Sequence, residues 1–281
     1  MGILDFFHKI RVGFTRIKGN SIPYISEEKM YGRHGEDNFV DSVYSRLPDC
    51  KIKRNIIIRT PDGNAELDCL ILYKNKLFAV EVKRWKGELK EQGDKFLQCK
   101  YDYWTEEIHT KYHKSPFKQL RRAIYLLKKQ IPENAWINSV VFFEESDCIT
   151  ASDENVWFDN MNDLVSYIIN GGNPSRENSA NAFLEKCVAA DCLHSRYKDD
   201  YLYCIVCDNS LEFNTPDGVI TQSDIRFVNI IHHWSYDELE IKTKSGVLYT
   251  AKLENEFIMV DNNGHIEKYA LCKLDHIQFG N

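Results

Sequence analysis

The strand-like run Leu77-Phe-Ala-Val-Glu81-Val-Lys83 constrains the chain most, because an apolar stretch fit for a buried strand carries two charges two residues apart. A period of two puts Glu81 and Lys83 on one face. Two more β-type runs precede it, Asn55–Arg59 and Glu66–Tyr73. Pro61-Asp-Gly-Asn64 and Lys74-Asn-Lys76, both of turn composition, separate the three. They read as an antiparallel meander. Asp68 intrudes among Leu67, Cys69 and Leu70 of the middle run. A two-residue turn at Lys74-Asn75 pairs Asp68 with Glu81, and a turn at Asn75-Lys76 pairs it with Lys83. Either register gathers the three polar groups on one face, with Cβ atoms ~5 Å apart. A three-residue turn would split them.

Helical patterns flank the meander. Phe39, Val40, Val43, Tyr44 and Leu47 recur at helical spacing before Pro48, and Glu36 sits at the N-terminal end of that apolar face. Ser115-Pro116 is a helix start, continued by the stripe Phe117, Leu120, Ala123, Ile124 and Leu127, with Gln119 at its border. Ser139–Phe143 and Val156–Phe158 read as strands, Asp163–Ile169 and Ala180–Val188 as helices. From about Tyr201 the pattern changes to short strands, seven in all, through Lys273–Phe279. These elements predict an α/β fold: an N-terminal arm over 1–30, a mixed α/β domain over 31–193 and a small all-β domain over 194–281.

Charge is divided along the chain. Residues 1–130 hold 26 basic and 17 acidic side chains, whereas 131–281 hold 10 and 25. The densest basic stretch, Lys83–Lys129, has 13 Lys and Arg with Trp85, Phe96, Tyr101, Tyr103, Trp104 and Tyr112 interleaved. That mixture suits phosphate contacts with stacking on bases; solvated helix lysines are the plainer account. The acidic C-terminal part is unsuited to gripping a polyanion, so docking of a protein partner, oligomerisation or autoregulation is its expected use. No window approaches the ~20 apolar residues of a membrane span, and the start is too short and charged for a secretion signal. Nine cysteines, an odd number irregularly spaced, suggest thiols in a reducing compartment rather than a disulfide framework. A soluble cytoplasmic protein without a membrane partner is the expectation. Cys187, Cys192, Cys204 and Cys207 with His194 make only a weak zinc pattern, and core thiols are the better reading.

Two carboxylates ~5 Å apart repel by about 3 kcal/mol at an effective dielectric of ~20. A divalent cation and the Lys83 ammonium would compensate, and hard carboxylate oxygens suit Mg²⁺ or Mn²⁺. A half-exposed hairpin with ordinary salt bridges is the plain alternative.

Gly35-Glu36, Glu66-Leu67-Asp68, Phe78-Ala-Val-Glu81-Val-Lys83-Arg-Trp-Lys-Gly87 and Ser115-Pro-Phe-Lys-Gln119 together resemble the nuclease-related domain, NERD, of the PD-(D/E)xK nuclease superfamily. The likeness runs from about Tyr31 to Val188. It implies a restriction-endonuclease-like central mixed sheet flanked by helices, and Mg²⁺-dependent cleavage of nucleic acid, usually DNA. By position it implies that Asp68 and Glu81 hold the metal, that Lys83 positions the attacking water and stabilises the transition state, and that Glu36 and Gln119 complete the site. Arg84, Trp85, Lys86, Lys114, Lys118, Arg121 and Arg122 are the expected nucleic-acid contacts, and phage defence, restriction or DNA repair the expected settings. A nuclease fold kept only to bind nucleic acid or a protein is the alternative. Leu67 stands where proline is usual, Cys69 where histidine is common and Ser115 where asparagine is frequent, but no implied ligand is lost.

Overall fold

The computed structural model describes residues 20–280 except 153, 177, 197–199, 208–210, 216–217, 234–236 and 253–256. Most of the expected N-terminal arm lies outside the described residues, as do Trp234 and Leu253 in the expected all-β part. Two compact units emerge, one from Ser26 to Ala189, the other from Ala190 onward together with the segment ending at Ile25.

The first unit opens with α1, Glu27–Arg46. Ser26 caps it by accepting from the Lys29 backbone N–H, and Glu27 and Glu28 occupy its first turn, where acids complement the helix dipole. The apolar pattern marks only its second half, so the helix begins nine residues before Glu36. Strands β1 (Lys51–Thr60), β2 (Gly63–Tyr73) and β3 (Lys76–Gln92) form the antiparallel meander. Two strands then follow that the sequence pattern does not disclose, β4 (Lys95–Asp102) and β5 (Glu107–Lys114). Helix α2 (Pro116–Gln130) starts at the Ser115 cap. Strand β6 (Ile137–Thr150) returns parallel to β3, and β7 (Trp157–Phe158), α3 (Met161–Asn170) and α4 (Ser179–Lys186) complete the unit.

Its seven-stranded sheet runs β1-β2-β3-β4-β5, with β6 on the other flank of β3 and β7 beside β6. Alternation sorts β3 and β6 between two cores. Leu77, Ala79, Leu89, Val141 and Phe143 pack with Phe117, Leu120 and Ala123 of α2, whereas Phe78, Val80, Val82, Val140 and Phe142 pack with Phe39, Val40 and Val43 of α1 and Leu164 and Ile168 of α3. Helices therefore cover both faces, and β3 is buried through its middle.

Gly87 lets this long strand turn towards β4. Its φ is +91°, and a Cβ there would stand 2.2 Å from the Cys99 carbonyl oxygen. Gly87→Ala should cost about 2 kcal/mol or more through strain and the backbone clash. Urea denaturation measures it, and a loss below about 0.5 kcal/mol would refute the close approach.

The second unit is built on an eight-stranded antiparallel sheet. In spatial order it runs β14 (Leu248–Lys252), β13 (Asp237–Thr243), β12 (Ile225–His232), β17 (Leu274–Gln278), β8 (Asp191–Ser195), β9 (Tyr201–Val206), β15 (Phe257–Asn262) and β16 (His265–Ala270). A separate hairpin pairs β10 (Glu212–Thr215) with β11 (Gly218–Thr221). Leu193, Val228, Ile241, Ile258 and Ile277 lie in its core. Four helices, α1 to α4, stand among the described residues, and none is long and apolar enough to cross a membrane. No disulfide links the nine cysteines.

Candidate active site

The site lies where the sheet splits beside β3. Pairing with β2 runs from Tyr73↔Lys76 to Cys69↔Val80 and stops; pairing with β4 resumes only at Glu88↔Cys99. Between these ladders the backbone of β3 has no neighbouring strand on that flank, and side chains supply partners instead. Asp68 Oδ2 accepts from the Val82 N–H at 2.8 Å, and Gln98 Nε2 donates to the Lys86 carbonyl at 2.7 Å. The two-residue turn at Lys74-Asn75 sets the register, so Asp68 and Glu81 are opposed one step beyond the last ladder pair. Of the two registers the sequence allows, this is the one that pairs the carboxylates.

Glu81 is completely buried. Lys83 Nζ lies 2.6 Å from its Oε1, yet neither Glu81 oxygen receives an aligned hydrogen bond. The ammonium is therefore an ion-pair partner in distance and off-line in direction. Burial, then the Asp68 charge, pushes the Glu81 carboxyl up to about 8, while Lys83 and the Gln119 side chain pull the other way. Gln119 stands in the first turn of α2, so helix and hairpin meet at Glu81. For Lys83, burial works against the charge, but Glu81, Asp68 and Glu36 outweigh it and raise the ammonium above its ordinary range. Lys83 thus keeps its proton near neutrality.

Glu36 reaches the same region from α1. Gly35 makes the approach possible, since a Cβ there would lie 2.7 Å from Glu144 Oε2 and 3.0 Å from Arg84 Cβ. Burial first, then the Asp68 charge, raises the Glu36 carboxyl to about 8. The structure thus gathers Glu36, Asp68, Glu81 and Lys83, with the exposed Gln119 bordering them from the first turn of α2.

Glu36 and Lys83 face a cleft of about 650 Å³ between α1 and the strands β3 to β5. Arg84, Trp85 and Lys86 line it too, whereas Lys114, Lys118, Arg121 and Arg122 do not. The Arg84 guanidinium lies 4.0 Å above the Tyr31 ring and pairs with Glu144 and Glu145. Trp85 packs against the core and stacks on His113 at 4.2 Å. Lys86 Nζ is 3.4 Å from Glu145 Oε2. Lys118 pairs with Asp94, Arg121 reaches Asn155, Arg122 reaches the Asp62 carbonyl, and Lys114 is exposed opposite Lys95. The cleft also contains Gln98, Lys100, Lys111 and His113, none of them singled out in the sequence because their strands were not recognised there.

Comparison with protein families adds one finding. Residues 31–144 match the model of the nuclease-related domain. This segment is similar to a NERD domain. Every one of the five expected site residues lies within it, as do Lys100, Lys111 and His113 of the cleft. The NERD match runs from the second turn of α1 into β6 and therefore includes the split in the sheet. No curated protein and no solved structure gave a match.

Among the described residues no group of three or more His, Cys, Asp or Glu side chains is assembled as a metal site. The donors do fit Mg²⁺ or Mn²⁺ in another way. Those ions commonly take one or two carboxylates and complete their shells with waters and substrate phosphates. Asp68 and Glu81 are opposed hard donors, and the buried oxygens of Glu81 lack aligned partners.

Proposed function

We propose that the chain is a metal-dependent nuclease that hydrolyses phosphodiester bonds of DNA. The carrying observation is the convergence of Asp68, Glu81 and Lys83 at the split beside β3, with the Lys83 ammonium 2.6 Å from Glu81. The parallel β3–β6 pair between α1 and α2 supports a restriction-endonuclease-type arrangement. Asp68 and Glu81 would hold Mg²⁺ or Mn²⁺, which supplies Lewis-acid stabilisation of phosphate charge and acidifies water when bound.

The chain's own groups carry the rest. Lys83 stays protonated and donates to the attacking water or to a phosphate oxygen as charge grows there. Asp68, fixed by the Val82 N–H, holds its carboxylate opposite Glu81. Gln119, in the first turn of α2, would orient the Glu81 carboxyl from that side once substrate and metal are bound. Glu36, facing the cleft with a raised pKa, is suited to exchange a proton near neutral pH. Arg84 and Lys86 at the cleft wall would meet the nucleic-acid backbone. The acidic second unit would dock a protein partner or a second copy, and phage defence, restriction or repair would be the cytoplasmic setting.

The test is cleavage of single- and double-stranded DNA and RNA with Mg²⁺, Mn²⁺ or EDTA. Cleavage of DNA that requires a divalent ion is expected. Retention of DNA in EDTA with no cleavage under any metal would replace the enzyme with a silent binding module.

A further inference from the structure

An ion pair joins two walls of the cleft. Glu28 Oε1, in the first turn of α1, lies 2.5 Å from Lys111 Nζ on β5, and both side chains are more than half exposed. The β4–β5 register explains what surrounds it. Pairs Phe96↔His113, Gln98↔Lys111 and Lys100↔His109 share one face of this hairpin. Gln98, Lys100, Lys111 and His113 are the members of that face which line the cleft with Lys83. His113 is held in place: its ring stacks on Trp85 at 4.2 Å, and Nε2 is 2.8 Å from Gln98 Oε1. Glu28 is an anion set against these groups. Lys111 lowers its pKa most, and His113 and Lys100 add to that.

We propose that Lys100 and Lys111, beside the His113 ring, form a subsite for a backbone phosphate of a nucleic-acid strand whose neighbouring phosphodiester reaches Lys83, and that Glu28 occupies this subsite until substrate displaces it. The choice of a polynucleotide rests on the nuclease reading; the cation cluster itself does not. The helix dipole accounts for an acid in the first turn, and Glu27 serves that purpose equally. It does not account for the reach across to β5. An exposed pair of long side chains is weak and screened by salt. A phosphate, with several acceptor oxygens, can bond both lysine ammoniums together and so displace a single carboxylate, whereas His113, bonded to Gln98 and held below its ordinary pKa by burial and Lys111, shapes the subsite without adding a charge.

Binding measured without metal separates this inference from the question of cleavage. Labelled single-stranded and duplex oligodeoxynucleotides are titrated in EDTA at several salt concentrations, with equal melting temperatures as the check on folding. Lys111→Ala should weaken binding and flatten the slope of log Kd against log salt by ~0.7 for single strands or ~0.9 for duplex. Glu28→Gln should tighten binding about two- to fivefold, as expected from removing one exposed competing pair. Unchanged affinity and slope in Lys111→Ala, or unchanged or weaker binding in Glu28→Gln, would overturn the subsite. Displacement of the oligonucleotide by equimolar mononucleotide or inorganic phosphate would overturn the polynucleotide assignment. A protein that cuts no substrate yet shows both shifts keeps this subsite and loses the nuclease reading. One that cuts DNA with KM unmoved by Lys111→Ala keeps the nuclease reading and loses the subsite.

Discussion

Glu81→Gln and Lys83→Ala should each lower the rate of DNA cleavage by about 10²-fold or more, in kcat rather than in KM. Glu81 is completely buried and does not line the cleft, so a strand bound there has no contact to lose when its charge is removed. What disappears is one of the two opposed carboxylates that would hold the cation and the partner that fixes Lys83. Lys83→Ala removes an ammonium whose proton Glu81, Asp68 and Glu36 hold against the opposing effect of burial. Each change strikes a preorganised charge, and deleting one such group costs roughly 3 kcal/mol of transition-state stabilisation. The KM split separates these residues from Lys111, whose loss should act on binding. Single-turnover and steady-state kinetics on one oligonucleotide measure both effects. Variants that cut as fast as wild type would remove Glu81 and Lys83 from the chemistry.

The hairpin was legible because its signal is geometric. A charged pair two residues apart in an apolar run has one placement in a strand, and the Lys74-Asn75 turn settles its register against Asp68. The continuation of β3 to Gln92 was not legible, since Arg84, Trp85, Lys86 and Gly87 interrupt the apolar run. Strand β5 gave still less signal. It is exposed along almost its whole length and owes its form to pairing with β4 rather than to a buried face. With those strands unseen, the basic stretch had no geometry, and the side chains that line the cleft could not be told from those that do not. Trp85 shows the same gap. Its place in a basic, aromatic segment suggested contact with bases, while the fold sets it between the core and His113. Glu28 fell within the expected N-terminal arm and carried no signal of its own; only the structure places it in the first turn of α1 with Lys111 opposite it.

Metal-free protein should lose stability as pH rises from about 4.5 to about 8. Unfolded, Glu81 and Glu36 ionise near the ordinary carboxyl value of 4.5; folded, burial and the Asp68 charge raise both to about 8. Within that window these two carboxyls hold more protons in the folded chain than in the unfolded one, so each increment of pH favours unfolding through them, while His113 and His276, both lowered first by burial, act with the opposite sign and equally in wild type and in Glu81→Gln. One proton held by the buried Glu81 across the window bounds that residue's own contribution at about 5 kcal/mol. Glu145, held down to about 2 first by the Tyr31 hydroxyl and then by Arg84, acts only below the window and with opposite sign. Asp191 in the second unit is raised by burial and adds a slope of the same sign, so the comparison with Glu81→Gln isolates the site. That variant should match wild type near pH 5 and exceed it near pH 8.5 in urea denaturation with EDTA. Mn²⁺ should then restore wild type near pH 8.5, by RT ln(1 + [Mn²⁺]/Kd), and leave Glu81→Gln nearly unmoved. Equal pH profiles for the two proteins, or an equal gain from Mn²⁺, would mean that the opposed carboxylates carry no stored repulsion and grip no cation.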